Sequence, residues 1–311
     1  MMRKFIVATT ATLMSSAALT QEASRSAASI PDFSGTWVYP FCCGVASPAS
    51  GPGPVVNNSR RQQAFDAEGR PIPNFQRRGQ ISWVGDYTNP ILKPATAEAV
   101  KKKGEIEESG TVAPTPRNQC WPEGVPFIFD NMGIQILQTR DKITIFYEHD
   151  HQVRHIYLNQ AHSAQVSPSW YGDSVGHYEG DILVIDTMGF KIGPFSMVDW
   201  YGAPYTQGLH VTERYRLVDD DEAVKSTEER GATTNYRLGR RASAATGIAA
   251  DPNYKGKVLQ LQLTVDDQGV FTMPWSGIVI YRRSSDEWPE HVCAENPGRG
   301  PGTPTAANPD F

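Results

Sequence analysis

Residues 170–190, WYGDSVGHYEGDILVIDTMGF, decide the fold. Glu179-Gly180-Asp181 is a turn signal between two runs with strand character, Gly176–Glu179 and Ile182–Thr187, so the stretch predicts a β-hairpin. The polar or ionisable side chains along it include Asp173, His177, Tyr178, Glu179 and Asp186. A hairpin that joins so many polar groups to an apolar run is expected to form the wall of a binding site or of an active site.

Strand signals extend from this hairpin in both directions along the chain. In Val258–Val265 leucine and valine alternate with glutamine and threonine, which is the period of a half-buried strand. Eight or nine sequential strands favour a mainly β fold, an up-and-down lipocalin/calycin-like barrel with its core at about 130–285, and a β-sandwich is the alternative. The other strand signals are Asp32–Trp37, Ile134–Thr139, Ile143–His149, Val153–Leu158, Leu209–Val218, Ala223–Glu229, Val270–Phe271 and Ile278–Tyr281.

A short helical and loop region is predicted before the barrel. Residues 44–62 are rich in Gly, Pro, Ser and Asn and indicate a loop, whereas Pro94–Lys103 has the composition of a helix, with Gly104 as its stop. Residues 30–295 are therefore interpreted as a single β-rich domain. The Gly- and Pro-rich residues 296–311 predict a disordered tail.

The first 20 residues have the features of a secretory signal peptide. Arg3 and Lys4 precede the uncharged, apolar run Phe5–Leu19, which is too short to predict a membrane span. Removal of this segment moves the net charge from −5 to −7, since Arg3 and Lys4 are its only charged residues. We expect a periplasmic or secreted protein with no integral membrane span, and its acidity argues against a nucleic-acid partner.

The four cysteines suggest one disulfide. Cys120 and Cys293 flank the strand-rich region, and export permits a bridge between them. The pairing of the adjacent Cys42 and Cys43 stays open. The chain has no CxxC pair of the kind that holds structural zinc.

The hairpin stretch resembles a family of exported bacterial proteins of unassigned function, whose members carry a pattern like GxSxGxWEGDxLVVDTxGF. The resemblance covers most of Trp37–Asn296 and implies a shared fold and export. The chain departs from the pattern at Tyr178, where the family has Trp, and at Asp266-Asp267, where Asp-Pro is common. The resemblance also includes Cys120–Gly124, Tyr147–Glu148 with Arg154, Leu209–Tyr215 and Cys293–Asn296.

Glu213 is the first candidate catalytic residue. On a strand it shares a face with the apolar residues around it, while His210 and Arg214 take the opposite face. A carboxylate on an apolar face is either paired or has a raised pKa, which is what a general acid or base requires. Arg154 is the expected partner, and His177 or His210 is the candidate proton relay. A purely structural ion pair with Arg154 is the competing interpretation.

Histidines and carboxylates supply the remaining candidates. Asp173, His177 and Asp186 lie near one hairpin, and a histidine with a carboxylate is the minimum for proton transfer. His149 and His151 would share one face of a strand, with His155 completing an HxHxxxH spacing, but this charged hairpin has no thiolate nearby. We therefore expect no bound metal and no stoichiometric zinc.

Aromatic residues predict an apolar ligand. Trp170, Tyr178, Tyr147 and Trp275 are the candidate substrate-binding residues. Ser174 lies outside a GxSxG motif, and the chain has neither a dinucleotide-binding nor a Walker motif, so no cofactor is expected.

These features predict an exported, cofactor-independent lyase, hydratase or isomerase that acts by acid/base catalysis on a small apolar or phenolic molecule in the barrel. A non-catalytic, lipocalin-like carrier is the alternative, and a structural envelope protein is a third possibility.

Overall fold

The computed structural model describes residues 30–39, 45–58, 83–109, 111–130, 133–228, 250–251, 253–288 and 290–295. The predicted signal peptide and tail, together with Cys42 and Cys43, lie outside the described residues. Within these described residues, nine strands and two α-helices follow one another. They are β1 (Gly35–Val38), α1 (Pro94–Glu108), β2 (Gly133–Gln138), β3 (Lys142–Tyr147), β4 (Val153–Leu158), β5 (Asp173–Glu179), β6 (Ile182–Met188), β7 (His210–Val218), α2 (Asp220–Glu228), β8 (Val258–Asp266) and β9 (Trp275–Arg283).

The nine strands form a closed barrel in sequence order, which confirms the predicted mainly β barrel. Every neighbouring pair is antiparallel except β4 and β5, which are parallel and pair only at Tyr157–Val175 and Leu158–Gly176. The departure from a strict up-and-down order has a simple cause. Residues 159–172 carry the chain back to the end of the barrel at which β4 began, so β5 starts there as well.

Alternation along the strands fills the barrel with large side chains. In β7 the inward residues Val211, Glu213 and Tyr215 are at most 2% exposed, whereas the residues between them are half-buried. Trp37, Tyr147, Arg154 and Tyr281 are also at most 2% exposed. The interior of the barrel is thus packed with aromatic, aliphatic and ionic side chains.

Three predicted elements are wrong. Ala223–Glu229 is not a strand, because Asp220, Asp221 and Glu222 form the first turn of α2, where acidic groups favour a helix N-terminus. Val270–Phe271 lies in a turn, with only an isolated bridge from Phe271 to Leu92. Gly104 does not end α1. It lies inside the helix at a close approach, where a Cβ atom would lie 3.2 Å from Val84.

One end of the barrel, where β3 ends and β4 begins, is covered by other parts of the chain, and we call it the capped end. The backbone N–H of Lys93, just before α1, donates to the Val270 carbonyl, and the Thr96 hydroxyl donates to the same oxygen. Residues 111–130 cross near the β3–β4 turn, since the Glu123 N–H donates to Gln152 Oε1. The capped end therefore brings together residues that are far apart in sequence.

Cys120 and Cys293 form a disulfide at this end, which confirms the predicted bridge. Their Cα atoms are 5.4 Å apart and 173 residues separate them in sequence. The bridge ties the segment before β2 to the segment after β9.

Replacing both cysteines with serine is expected to lower the free energy of unfolding by about 2–4 kcal/mol, because the unfolded chain regains the freedom that a long closed loop removes. Urea unfolding of the two forms measures the difference. Both should give one cooperative transition, and equal midpoints would contradict the prediction.

Among the residues that the structure describes, no helix is long and apolar enough to cross a membrane.

Candidate functional site

A buried ion pair crosses the inside of the barrel, as the sequence predicts for Glu213 and Arg154. The guanidinium donates to both carboxylate oxygens, with Nη1–Oε2 at 2.9 Å and Nη2–Oε1 at 2.6 Å. It also donates from Nη2 to Thr187 Oγ1 at 2.6 Å and from Nε to Ser174 Oγ at 3.1 Å. One side chain of β4 is thereby bound to β5, β6 and β7.

This pair has the character of a structural element. Arg154 is 1% exposed and Glu213 is 0% exposed, and Tyr215 donates a further hydrogen bond to Glu213 at 3.1 Å. Burial acts to lower the pKa of Arg154, but the Glu213 carboxylate raises it on balance, so the guanidinium stays charged. Burial also raises the pKa of Tyr147, at the same level of the barrel, to about 12. The Glu213 carboxylate is fully buried and both its oxygens accept hydrogen bonds, which supports the competing interpretation of a structural ion pair.

Neither predicted relay histidine reaches Glu213. His210 belongs to the outward set of β7, because side chains alternate along a strand, and its Nε2 lies 2.5 Å from Asp186 Oδ1. The His177 side chain is 55% exposed and pairs with Glu179 at 3.3 Å. His177 lies on the outer face of β5, as Asp173 does, but the carboxylate with which it pairs is Glu179.

Three predicted catalytic residues, Asp173, Asp186 and His210, do meet on the outer wall, but through a histidine that is not among the predicted site residues. His162, in the loop 159–172, places Nδ1 3.0 Å from Asp173 Oδ2 and Nε2 2.9 Å from Asp186 Oδ2. Only the protonated imidazole donates to both carboxylates at once. Burial acts to lower the pKa of His162, but these two hydrogen bonds raise it on balance.

The two neighbours of His162 have shifted pKa values as well. The hydrogen bond to Asp186 raises the pKa of His210. Burial acts to raise the pKa of Asp186, but hydrogen bonds from His210 and His162 lower it on balance. The four side chains hold the loop against β5, β6 and β7. We call Asp173, His162, Asp186 and His210 the outer-wall chain.

We expect His162→Gln to lower the free energy of unfolding by roughly 1 kcal/mol at pH 6 and by less at pH 9. A histidine whose pKa is raised on folding stabilises most below its unfolded pKa, about 6.5, and loses that effect as the pH rises through its folded pKa. Thermal melting at both pH values measures the difference.

His177→Gln is the matched control for this variant. It removes a histidine that also pairs with a carboxylate, but at the exposed surface. If the loss of stability depended on pH equally in the two variants, the pH-dependent stabilisation could not be assigned to His162.

The three histidines considered for metal binding do not share a face. His149 and His151 lie on a 3₁₀ turn rather than on a strand, with Asp150 and His151 at positive φ. His155 is exposed on β4, where its Nδ1 lies 3.1 Å from Thr144 Oγ1. Within the described ranges no group of histidine, cysteine or acidic residues is arranged to hold a metal ion.

The capped end holds a second ionic cluster. Arg117 donates to both oxygens of Glu123, at 2.5 and 2.9 Å, and Glu123 is fully buried. Gln152 Oε1 accepts hydrogen bonds from the Glu123 N–H at 2.7 Å and from the Tyr171 hydroxyl at 2.9 Å. Burial and the negative charge of Glu123 raise the pKa of Tyr171. Tyr171 is therefore a neutral hydroxyl donor at this site.

Glu148 lies near the same cluster, and unlike Glu123 it has no ion pair with Arg117. It is 3% exposed, and its Oε2 has no hydrogen-bond partner among the described residues. Burial raises its pKa to about 7, although the charge of Arg117 opposes the shift. Burial also lowers the pKa of the neighbouring His149 to about 4, so this imidazole is neutral at pH 7. Glu148 thus has the pKa that a general acid or base needs.

Three of the four candidate substrate-binding residues lie at the capped end, and the fourth does not. Tyr147 and Trp275 are buried at the capped end. Trp170 lies there too, edge-on to Trp121 at 5.6 Å between ring centroids. Tyr178 is at the far end of β5, where its hydroxyl accepts a hydrogen bond from Gln138 Nε2 at 3.0 Å.

Comparison of the chain with models of protein families, with curated proteins and with solved structures finds no match.

Proposed function

We propose that the protein is an exported, periplasmic or secreted, cofactor-independent enzyme that transforms a small apolar or phenolic molecule by proton transfer, as a lyase, hydratase or isomerase. Its acid/base group in this proposal is Glu148. The observation that carries the proposal is a buried carboxyl with a pKa of about 7, one oxygen of which has no hydrogen-bond partner among the described residues. The Cys120–Cys293 bridge is in keeping with export.

The proposed site is the capped end rather than the interior of the barrel. The barrel is filled by side chains such as Trp37, Tyr215 and Tyr281, which are at most 2% exposed. At the capped end the aromatic rings of Trp121 and Trp170 are only partly buried, and the Tyr171 hydroxyl is a neutral donor. An apolar molecule with one polar group fits such surroundings.

Segments that carry the resemblance to exported bacterial proteins also meet here. Cys120–Gly124 contributes Glu123, the Tyr147–Glu148 pair contributes the acid, and Cys293 is joined to Cys120. We infer that the functional site lies at this end of the barrel. The motif residues of the β5–β6 hairpin then have mainly a structural role in the barrel wall.

The test is a turnover assay on a panel of phenolic and apolar compounds, with products identified by mass spectrometry. If Glu148 acts as the base, the rate should rise with pH through about 7, and if it acts as the acid, the rate should fall through the same pH. A compound that binds to the capped end without being transformed would favour the carrier, which the half-buried rings of Trp121 and Trp170 also suit.

A further inference from the structure

A small cavity lies at the capped end, beside the ionic cluster of Arg117 and Glu123. Its volume is about 20 Å³, and its walls are mainly apolar or aromatic, including Pro126, Phe127, Val198 and Trp200. Two further lining residues carry polar groups, the carboxylate of Asp199 and the indole N–H of Trp275. Arg117, which holds Glu123, stacks at 4.9 Å over the ring of Trp200, so this wall is shared with the ionic cluster.

Asp199 and Trp275 each carry a buried polar atom that has no hydrogen-bond partner among the described residues. Trp275 is 2% exposed, and its indole Nε1 has no hydrogen-bond acceptor among the residues that the structure describes. Asp199 uses Oδ1 to accept hydrogen bonds from the backbone N–H groups of Tyr201 and Ala203, at 2.9 and 3.2 Å. Its Oδ2 is buried and lacks a partner in the same described ranges. One atom is a donor and the other is an acceptor.

Unpaired polar atoms of this kind are costly to bury, and a native structure normally gives them a partner. One hydroxyl group has the right chemistry, since its oxygen accepts from an indole N–H while its hydrogen is donated to a carboxylate. The cavity also has the right size, because a buried water needs about 10–15 Å³. A whole aromatic ring is too large for it.

We propose that the cavity between Asp199 and Trp275 is a binding site for a single hydroxyl group. The group belongs to a bound water or to a ligand whose hydroxyl end enters the cavity while its apolar part stays at the mouth. The alternative in which a ligand supplies the hydroxyl rests on the proposed function. In that case the site would select phenolic molecules over purely apolar ones. Burial raises the pKa of Asp199 to about 6, so near pH 8 the carboxylate is ionised and accepts the hydroxyl hydrogen.

The first experiment is a high-resolution crystal structure of the full-length protein at pH 8, alone and soaked with phenol. The expected result is one oxygen within hydrogen-bond distance, about 3 Å, of both Trp275 Nε1 and Asp199 Oδ2. A cavity without such an oxygen in both crystals, or the two atoms bonded to other protein groups, overturns the proposal.

The second experiment separates the two sources by calorimetric titration with phenol and with toluene, which lacks the hydroxyl. If a ligand hydroxyl occupies the site, Trp275→Phe should weaken phenol binding about fivefold, the effect of one neutral hydrogen bond, and leave toluene unchanged. Trp37→Phe is the matched control, since that buried indole does not line the cavity and donates its N–H to the Phe33 carbonyl. Asp199→Asn provides a second variant if Trp275→Phe fails to fold.

An ordered water with no phenol binding supports the hydroxyl site and identifies water as its occupant. The proposed function is judged separately, by turnover, so failure of either leaves the other testable. Equal weakening of phenol binding by Trp275→Phe and Trp37→Phe would overturn the proposal that a ligand hydroxyl occupies the site.

Discussion

Glu213→Gln is expected to lower the free energy of unfolding by about 3–5 kcal/mol, because it leaves the buried Arg154 guanidinium without its counter-charge. The glutamine keeps the shape of the side chain and one acceptor oxygen, but its amide group places two donors beside the guanidinium. Arg154 is 1% exposed, so water cannot take over the lost interaction. Urea unfolding with a circular-dichroism readout measures the change.

A double variant serves as the control. Arg154→Met/Glu213→Leu removes both charges and fills the space with apolar atoms, and such replacements are often close to neutral. We therefore expect the double variant to be more stable than Glu213→Gln alone. A fully stable Glu213→Gln protein that has lost turnover would contradict the structural role and restore Glu213 as a catalytic acid.

Glu148→Gln is expected to lose activity and gain stability, whereas Glu213→Gln is expected to lose stability. Turnover is expected to fall at least about 100-fold, because an amide cannot exchange the proton and general acid/base catalysis contributes about 10²–10⁴-fold. The folded protein should become more stable at pH 8, by roughly 2 kcal/mol. The pKa of Glu148 is raised from 4.5 to about 7 on folding, so the stability associated with it is present below pH 4.5 and is lost as the pH rises through 7.

Glu123→Gln is the matched control in the same cluster. Glu123 is ion-paired with Arg117 and fully buried, so this variant should be less stable than the wild type. Activity and melting temperature of both variants, measured at pH 5 and pH 8, separate the two roles. Full turnover by Glu148→Gln on a compound that the wild type transforms would remove Glu148 from the mechanism.

The sequence predicted the features that depend on alternation. The period of two along β7 put Glu213 inside the barrel and His210 outside, and the structure agrees. Arg154, the second residue of β4, was the expected partner, and it also lies inside the barrel. The closed barrel follows from many short strands in succession, although the parallel β4–β5 pair could not be predicted, because it depends on the path of the loop 159–172.

Residues outside the strands escaped the same reasoning. His162 lies in an aperiodic loop, and nothing in its neighbourhood points to Asp186, which is 24 positions away. Glu148 was visible only as part of the resemblance. Its importance comes from burial at the capped end, which depends on long-range packing. The strand predicted over Ile143–His149 is too long at its end, because β3 stops at Tyr147 and a turn follows.

The barrel has two lines of weak pairing, and they divide it into two units. β4 meets β5 only at Tyr157–Val175 and Leu158–Gly176, and β1 meets β9 only at Trp37–Arg283 and Val38–Arg282. Strands β5–β9 are joined by long antiparallel registers, with nine residue pairs between β7 and β8. Arg154 bridges one line through Ser174 and Glu213, and the Cys120–Cys293 bridge links the flanking segments of the two units. A chain cut within the loop 159–172 should therefore yield two fragments that reassemble into one barrel, so the chain is suited to fragment complementation at that loop.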